Sequence, residues 1–105
     1  MSRAAYKLLL RSTIKSVHEV NARWLTSTPV QEIVKGRVVW EDVVESFELI
    51  NHAEAKYCFA WSVETAEGTA ILTALRIPPV VSPQTAVHEA FTQGKMNPLQ
   101  ILVKK

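Results

Sequence analysis

The stretch "KYCFAWSVETAEGTAILTALRIPP", residues 56–79, decides the fold. Tyr57, Phe59, Trp61 and Val63 alternate with Cys58, Ala60 and Ser62. That two-residue period belongs to a strand with one bulky and one small face. "AEG", residues 66–68, is a short glycine-containing loop, so Lys56–Thr65 and Thr69–Ile77 read as the arms of a β-hairpin. Pro78-Pro79 ends the second arm, because neither proline can donate to a ladder. In that arm Ile71, Leu75 and Ile77 alternate with Ala70, Leu72, Ala74 and Arg76. Both faces of the hairpin are therefore mostly apolar, and such a sheet demands cover on both sides. Cys58, Ala60, Ala70 and Ala74 are expected to form a small-residue face that a helix approaches closely. Covering the aromatic face is worth about 1.5–3 kcal/mol per large side chain.

The flanking sequence supplies that cover. Tyr6, Leu10, Thr13, Ile14, Val17, Val20 and Trp24 recur at steps of three and four, which predicts one amphipathic helix over residues 3–24. "TSTP" is expected to end it, since Pro29 disfavours a helical residue before it. Downstream, "SPQTAVHEAFTQG" predicts a short helix with Ser82 as cap, Pro83 in the first turn and Gly94 at the end. "VVWEDVVESFELI", residues 38–50, fits either period. Its valines, the preceding Gly36 and the turn-like "NHAEA" favour a strand. Glu45 then shares the inward face with Val43 and Phe47, an inconsistency that a β-bulge would repair. "LQILV", residues 99–103, is a candidate last strand followed by lysines that discourage edge pairing.

The expected fold is thus α+β: a long N-terminal helix, a three- or four-stranded antiparallel sheet and a short C-terminal helix. It forms a single domain over residues 1–105, with a helical arm over 1–29 and a sheet-helix core over 37–105. A chain of 105 residues, 48% hydrophobic and 21% charged, supports one folded core. No apolar run approaches the ~20 residues that span a bilayer. The single cysteine forms no internal disulfide and favours a reducing compartment. The localisation expected is cytoplasmic. The alternative is mitochondrial, because the basic amphipathic start carries no acid before Glu19, as presequences do.

Little of the sequence points to catalysis. His18, His52 and His88 fall in three different elements without metal-ligand spacing. His52 alone occupies a loop setting suited to a site, and Cys58 is its nearest nucleophile across the turn. A cysteine between two aromatic residues in a strand is expected to be buried and inert. Three glycines make no phosphate-cradling loop. No catalytic residue, cofactor or metal is assigned. The net charge of +2 conceals blocks of +4 over residues 1–36, −5 over 37–67 and +3 over 68–105. The aromatic row is flanked by Lys56 but crowded by Glu41, Asp42, Glu45, Glu48, Glu54 and Glu64, whose carboxylates repel phosphate. That opposes its use as a base-stacking platform.

Two resemblances extend this reading. Trp40, Phe47, Leu49, His52, Ala55 and Ala60-Trp61, followed by "IPPV" and "SPQTAV", resemble a pattern in small uncharacterised bacterial proteins. The resemblance covers residues 38–91, departs at Asn51 and Ala53, and implies a hairpin followed by a helix without bringing an activity. "AYKLLLR", residues 5–11, is similar to the Leu-Tyr-Arg motif of small mitochondrial helical proteins, with Ala5 and Lys7 replacing two motif residues. Element order alone also matches the double-stranded RNA-binding domain, yet "SPQTAVHEA" lacks that family's lysine cluster. The function expected is a small non-catalytic protein-interaction or oligomerisation domain, forming a homodimer through Tyr6, Leu10, Val17, Trp24, Tyr57, Phe59 and Trp61. The alternative is a nucleic-acid-binding module using Lys7, Arg11, Lys15 and Arg23.

Overall fold

The structure is a computed structural model that describes residues 1–96. The expected strand over 99–103 lies outside the described residues. The elements run α1 (Arg3–His18), β1 (Asn21–Val34), β2 (Arg37–Ile50), β3 (Tyr57–Thr65), β4 (Gly68–Leu75) and α2 (Pro83–Thr92). The four strands form one antiparallel sheet in sequence order. This is an α+β fold with a helix on each face of the sheet.

The first helix is shorter than its apolar period suggests. Ser2 caps it by accepting from the Ala5 amide, and Glu19 closes it in the left-handed region, donating its amide to the Lys15 carbonyl. The helical reading of residues 19–24, and of the arm to residue 29, is therefore corrected. Val20, Ala22 and Trp24 also alternate, and pairing β1 with β2 along its whole length outweighs helix propensity. Pro29 lies within β1 opposite Val43 rather than after a helix. It is tolerated because β1 is an outer strand. The element order gains a strand, and the uncertain 38–50 stretch is strand throughout.

The β1–β2 hairpin turns at Lys35 and Gly36, both with positive φ (+52° and +76°). Two left-handed residues in a two-residue loop match the twist of the flanking strands. The β1–β2 register slips between Glu32 and Ile33 and again between Trp24 and Thr26. Leu25 is the extra residue, and this bulge puts Trp24 and Ser27 on one face although they stand three apart. Both then face Glu45. The bulge sought beside Glu45 in β2 thus lies in β1, and Glu45 stays inward.

Both faces of β3 are buried, as its composition requires. On one face Phe59, Trp61 and Val63 pack with Val30, Trp40, Val44 and with Ala86, Val87 and Ala90 of α2. On the other, Cys58 and Ala60 pack with Phe47, Leu49 and with Leu10 and Ile14 of α1. The small side chains admit α1 as expected. Their partners on β4 differ, however: Ala70 and Ala74 stand opposite Val63 and Phe59, on the aromatic face. Ile71 and Leu75, opposite Ser62 and Cys58, complete the α1 face instead. Cross-strand pairs share a face, so the hairpin register decides this. The α2 cap is formed by Ser82 and Thr85, which bond reciprocally, with Pro83 in the first turn.

Ile14 is fully buried at the centre of the α1 face. Ile14→Ala is expected to lower stability by about 2–5 kcal/mol in urea unfolding, the range for a large-to-small change in a packed core.

Candidate binding groove

The structure distributes the residues singled out as interface. Leu10, Phe59 and Trp61 are core, Tyr6, Trp24 and Tyr57 are half-buried, and Val17 alone is exposed. The aromatic row is interior cover for the chain's own α2, not an open platform. The basic set is also partly occupied. The Lys7 ammonium lies 3.4 Å from the centroid of the Trp24 ring. Arg11 Nε donates to the Ala22 carbonyl at 2.9 Å, and Arg23 pairs with Glu48 at 2.6 Å. Lys15 is exposed.

Glu45 is the most heavily bonded buried acid. It is 1% exposed, and its Oε1 accepts from Trp24 Nε1 at 2.8 Å, from Ser27 Oγ and from the Arg3 guanidinium at 3.3 Å. Its Oε2 has no hydrogen-bond partner. A buried carboxylate persists when charge-assisted donors replace its water. These three come from α1's first turn and from both sides of the β1 bulge. The cluster therefore fastens the start of α1 to the sheet. Its role is structural.

The histidines do not converge. His52 Nδ1 accepts from the amides of Glu54 and Ala55, each at 3.0 Å, and so organises the β2–β3 turn. His88 Nδ1 contacts Glu32 Oε2 at 3.0 Å, tying α2 to β1. His18 Nε2 and Thr73 Oγ1 lie 2.9 Å apart. Burial, helped by the charge of His52, pushes the His18 pKa below its ordinary value. Cys58 is fully buried, with its thiol directed at the Phe59 carbonyl, and burial pushes its pKa up to about 12. A thiol so shielded is not a nucleophile at neutral pH. No group of three metal-ligating side chains occurs among the described residues.

The concave feature of interest lies elsewhere, between β4 and α2. A cavity of about 280 Å³ is lined by Leu72, Thr73, Ala74 and Leu75 of β4, by Ile77, Pro79 and Val80, and by Ala86 and Ala90 of α2. Residues from both faces of β4 contribute, so the cavity follows the strand's outer edge. Trp61 lines it too, and its indole Nε1 is buried with no partner. His18, Glu89, Gln93 and Lys95 supply polar groups. Apolar walls with a few polar groups are the usual make-up of a binding site. Sequence reasoning missed this groove because β4, α2 and the 77–80 segment meet only through the sheet order. The one available signal was the pair of small residues, Ala86 and Ala90, on the inner side of α2.

Comparison of the chain with protein-family models, with curated proteins and with solved structures finds no match in any of the three.

Two outcomes follow from the site's electrostatics. Native protein is expected to leave Cys58 unmodified by iodoacetamide at neutral pH, with one thiol per chain reacting after denaturation. His18 binds its proton less readily folded than unfolded. Its contribution to stability is thus complete above the unfolded value of about 6.5 and is lost as pH falls through that value toward the lower folded one. His18→Gln is expected to flatten the fall in urea-unfolding stability over that window.

Proposed function

We propose that this chain is a small non-catalytic protein-interaction domain that pairs with a second copy of itself through the outer edge of β4. Among the described residues, the contrast between the sheet's two outer strands carries the reading. β1 is guarded: Pro29 removes an amide, the bulge at Leu25 interrupts the ladder, and Arg23 and Glu32 add charge. β4, "GTAILTAL", has no proline and no charged residue, and its register with β3 is unbroken from Gly68 to Leu75. Its first three residues are exposed.

An unguarded strand edge is a template for another strand, and main-chain bonds supply the affinity. Two β4 edges meeting antiparallel form a self-complementary twofold contact, which closes without leaving a further free edge there. The residues singled out from the sequence have no part in this contact, because Leu10, Phe59 and Trp61 lie in the core and all seven belong to α1, β1 or β3. Such pairing rests on backbone bonds and apolar neighbours, not on phosphate contacts. Its salt dependence is therefore shallow, unlike that of nucleic-acid binding.

Sedimentation equilibrium across a dilution series tests the reading. Wild-type protein is expected to dimerise with rising concentration, and Ala70→Lys, at an exposed edge position, to weaken the dimer at least about tenfold. A chain that stays monomeric at the highest concentration, or a dimer indifferent to Ala70→Lys, contradicts it.

A further inference from the structure

We infer that the cavity beneath β4 and α2 is a ligand pocket for an apolar, aryl-sized molecule carrying one hydrogen-bond acceptor, which the Trp61 indole N–H receives. The inference goes beyond edge pairing. The exposed part of β4 is Gly68–Ala70, whereas the cavity lies along Leu72–Leu75.

Three observations converge on it. The space is large enough, at about 280 Å³, for a substituted benzene ring. Its walls are mainly aliphatic, which suits an apolar body. Trp61 is wholly buried, lines that space and leaves Nε1 without a partner, and Nε1 is only a donor. A buried donor left unmade is a standing cost, and the group that removes it is an acceptor. Nitrogen accepts nothing here, so a ligand hydroxyl serves only through its oxygen lone pair, and an ammonium not at all.

The indole N–H is sealed from water, so the acceptor reaches it when a wall side chain turns aside. Leu72 is placed for that movement, because it stands directly opposite Trp61 and is only half-buried. The polar groups of Glu89 and Lys95 also line the cavity and carry opposite charges, so neither sign of ligand charge is favoured. A neutral ligand is the consistent class.

The test uses two probes of equal shape, 4-methylanisole and 4-ethyltoluene, which differ by an ether oxygen in place of a methylene. Each is titrated into the full chain and followed by methyl shifts of Leu72, Leu75 and Val80. Wild-type protein is expected to bind the ether about fivefold more tightly than the hydrocarbon, the ratio of one ordinary hydrogen bond. Trp61→Phe keeps an aromatic ring and deletes the donor, and is expected to bring the ratio to about one. Ala90→Leu fills the cavity from α2 and is expected to abolish binding of both probes, which keeps the test intact if Trp61→Phe does not fold. Equal binding of the two probes by wild-type protein overturns the acceptor assignment. Absence of shifts with either probe overturns the pocket. Undiminished binding by Ala90→Leu places the probes elsewhere and also overturns it. The cavity follows the same edge of β4, so the titrations are run on dilute protein shown to be monomeric, where this inference and the proposed pairing fail separately.

Discussion

The central strand β3 is apolar on both faces, and the remainder of the molecule follows from that constraint. A strand of this kind cannot rest against solvent on either side, so the sheet that contains it must be the middle of three layers. The chain meets the demand with one helix before the sheet and one after it. Phe59 and Trp61 fill the α2 side, where their bulk keeps the helix at a distance. Cys58 and Ala60 leave the α1 side shallow, so Leu10 and Ile14 settle directly over them. The same pattern explains why the aromatic row, inviting as a stacking surface, has no opening to solvent beyond the half-buried Tyr57.

A second constraint fixes how α1 meets its face. Glu45 points inward from β2, where a carboxylate needs donors. The extra residue Leu25 reverses the alternation of β1, so that Trp24 and Ser27 both reach Oε1. Arg3 adds a third contact from the start of α1. One irregularity in an outer strand thus serves two ends. It supplies donors to one oxygen of a buried carboxyl group, and it interrupts an edge that other chains would otherwise extend. Among the described residues β4 has no such device, and the two edges of the sheet therefore differ.

Local chemistry was legible wherever a single period or cap was decisive. The β3–β4 hairpin, the double-proline stop and the Ser82–Thr85 helix start could all be read from adjacent residues. The interior position of Cys58 followed from its aromatic neighbours. The reading failed where two periods coincided. Val20 and Trp24 fit a helix as well as a strand, and only the pairing of β1 with a distant β2 decides between them. Pro29 misled for the same reason, since its position marks either a helix end or a tolerant outer strand. The placement of Ala70 and Ala74 depended on the hairpin register, because the loop is Ala66-Glu67 and Gly68 already belongs to β4. The groove was out of reach of sequence reading, as its walls come from elements brought together by sheet order alone.

Native-state hydrogen exchange along β3, measured on dilute monomeric protein, tests the three-layer account most directly. If each chain's own helices seal the strand, the ladder amides of Cys58, Phe59, Ala60 and Trp61 exchange only through global unfolding. Their opening free energies then equal the stability from urea unfolding. Rapid local exchange at these amides, or protection that arises only in an oligomer, would show that the cover comes from elsewhere and contradict the account.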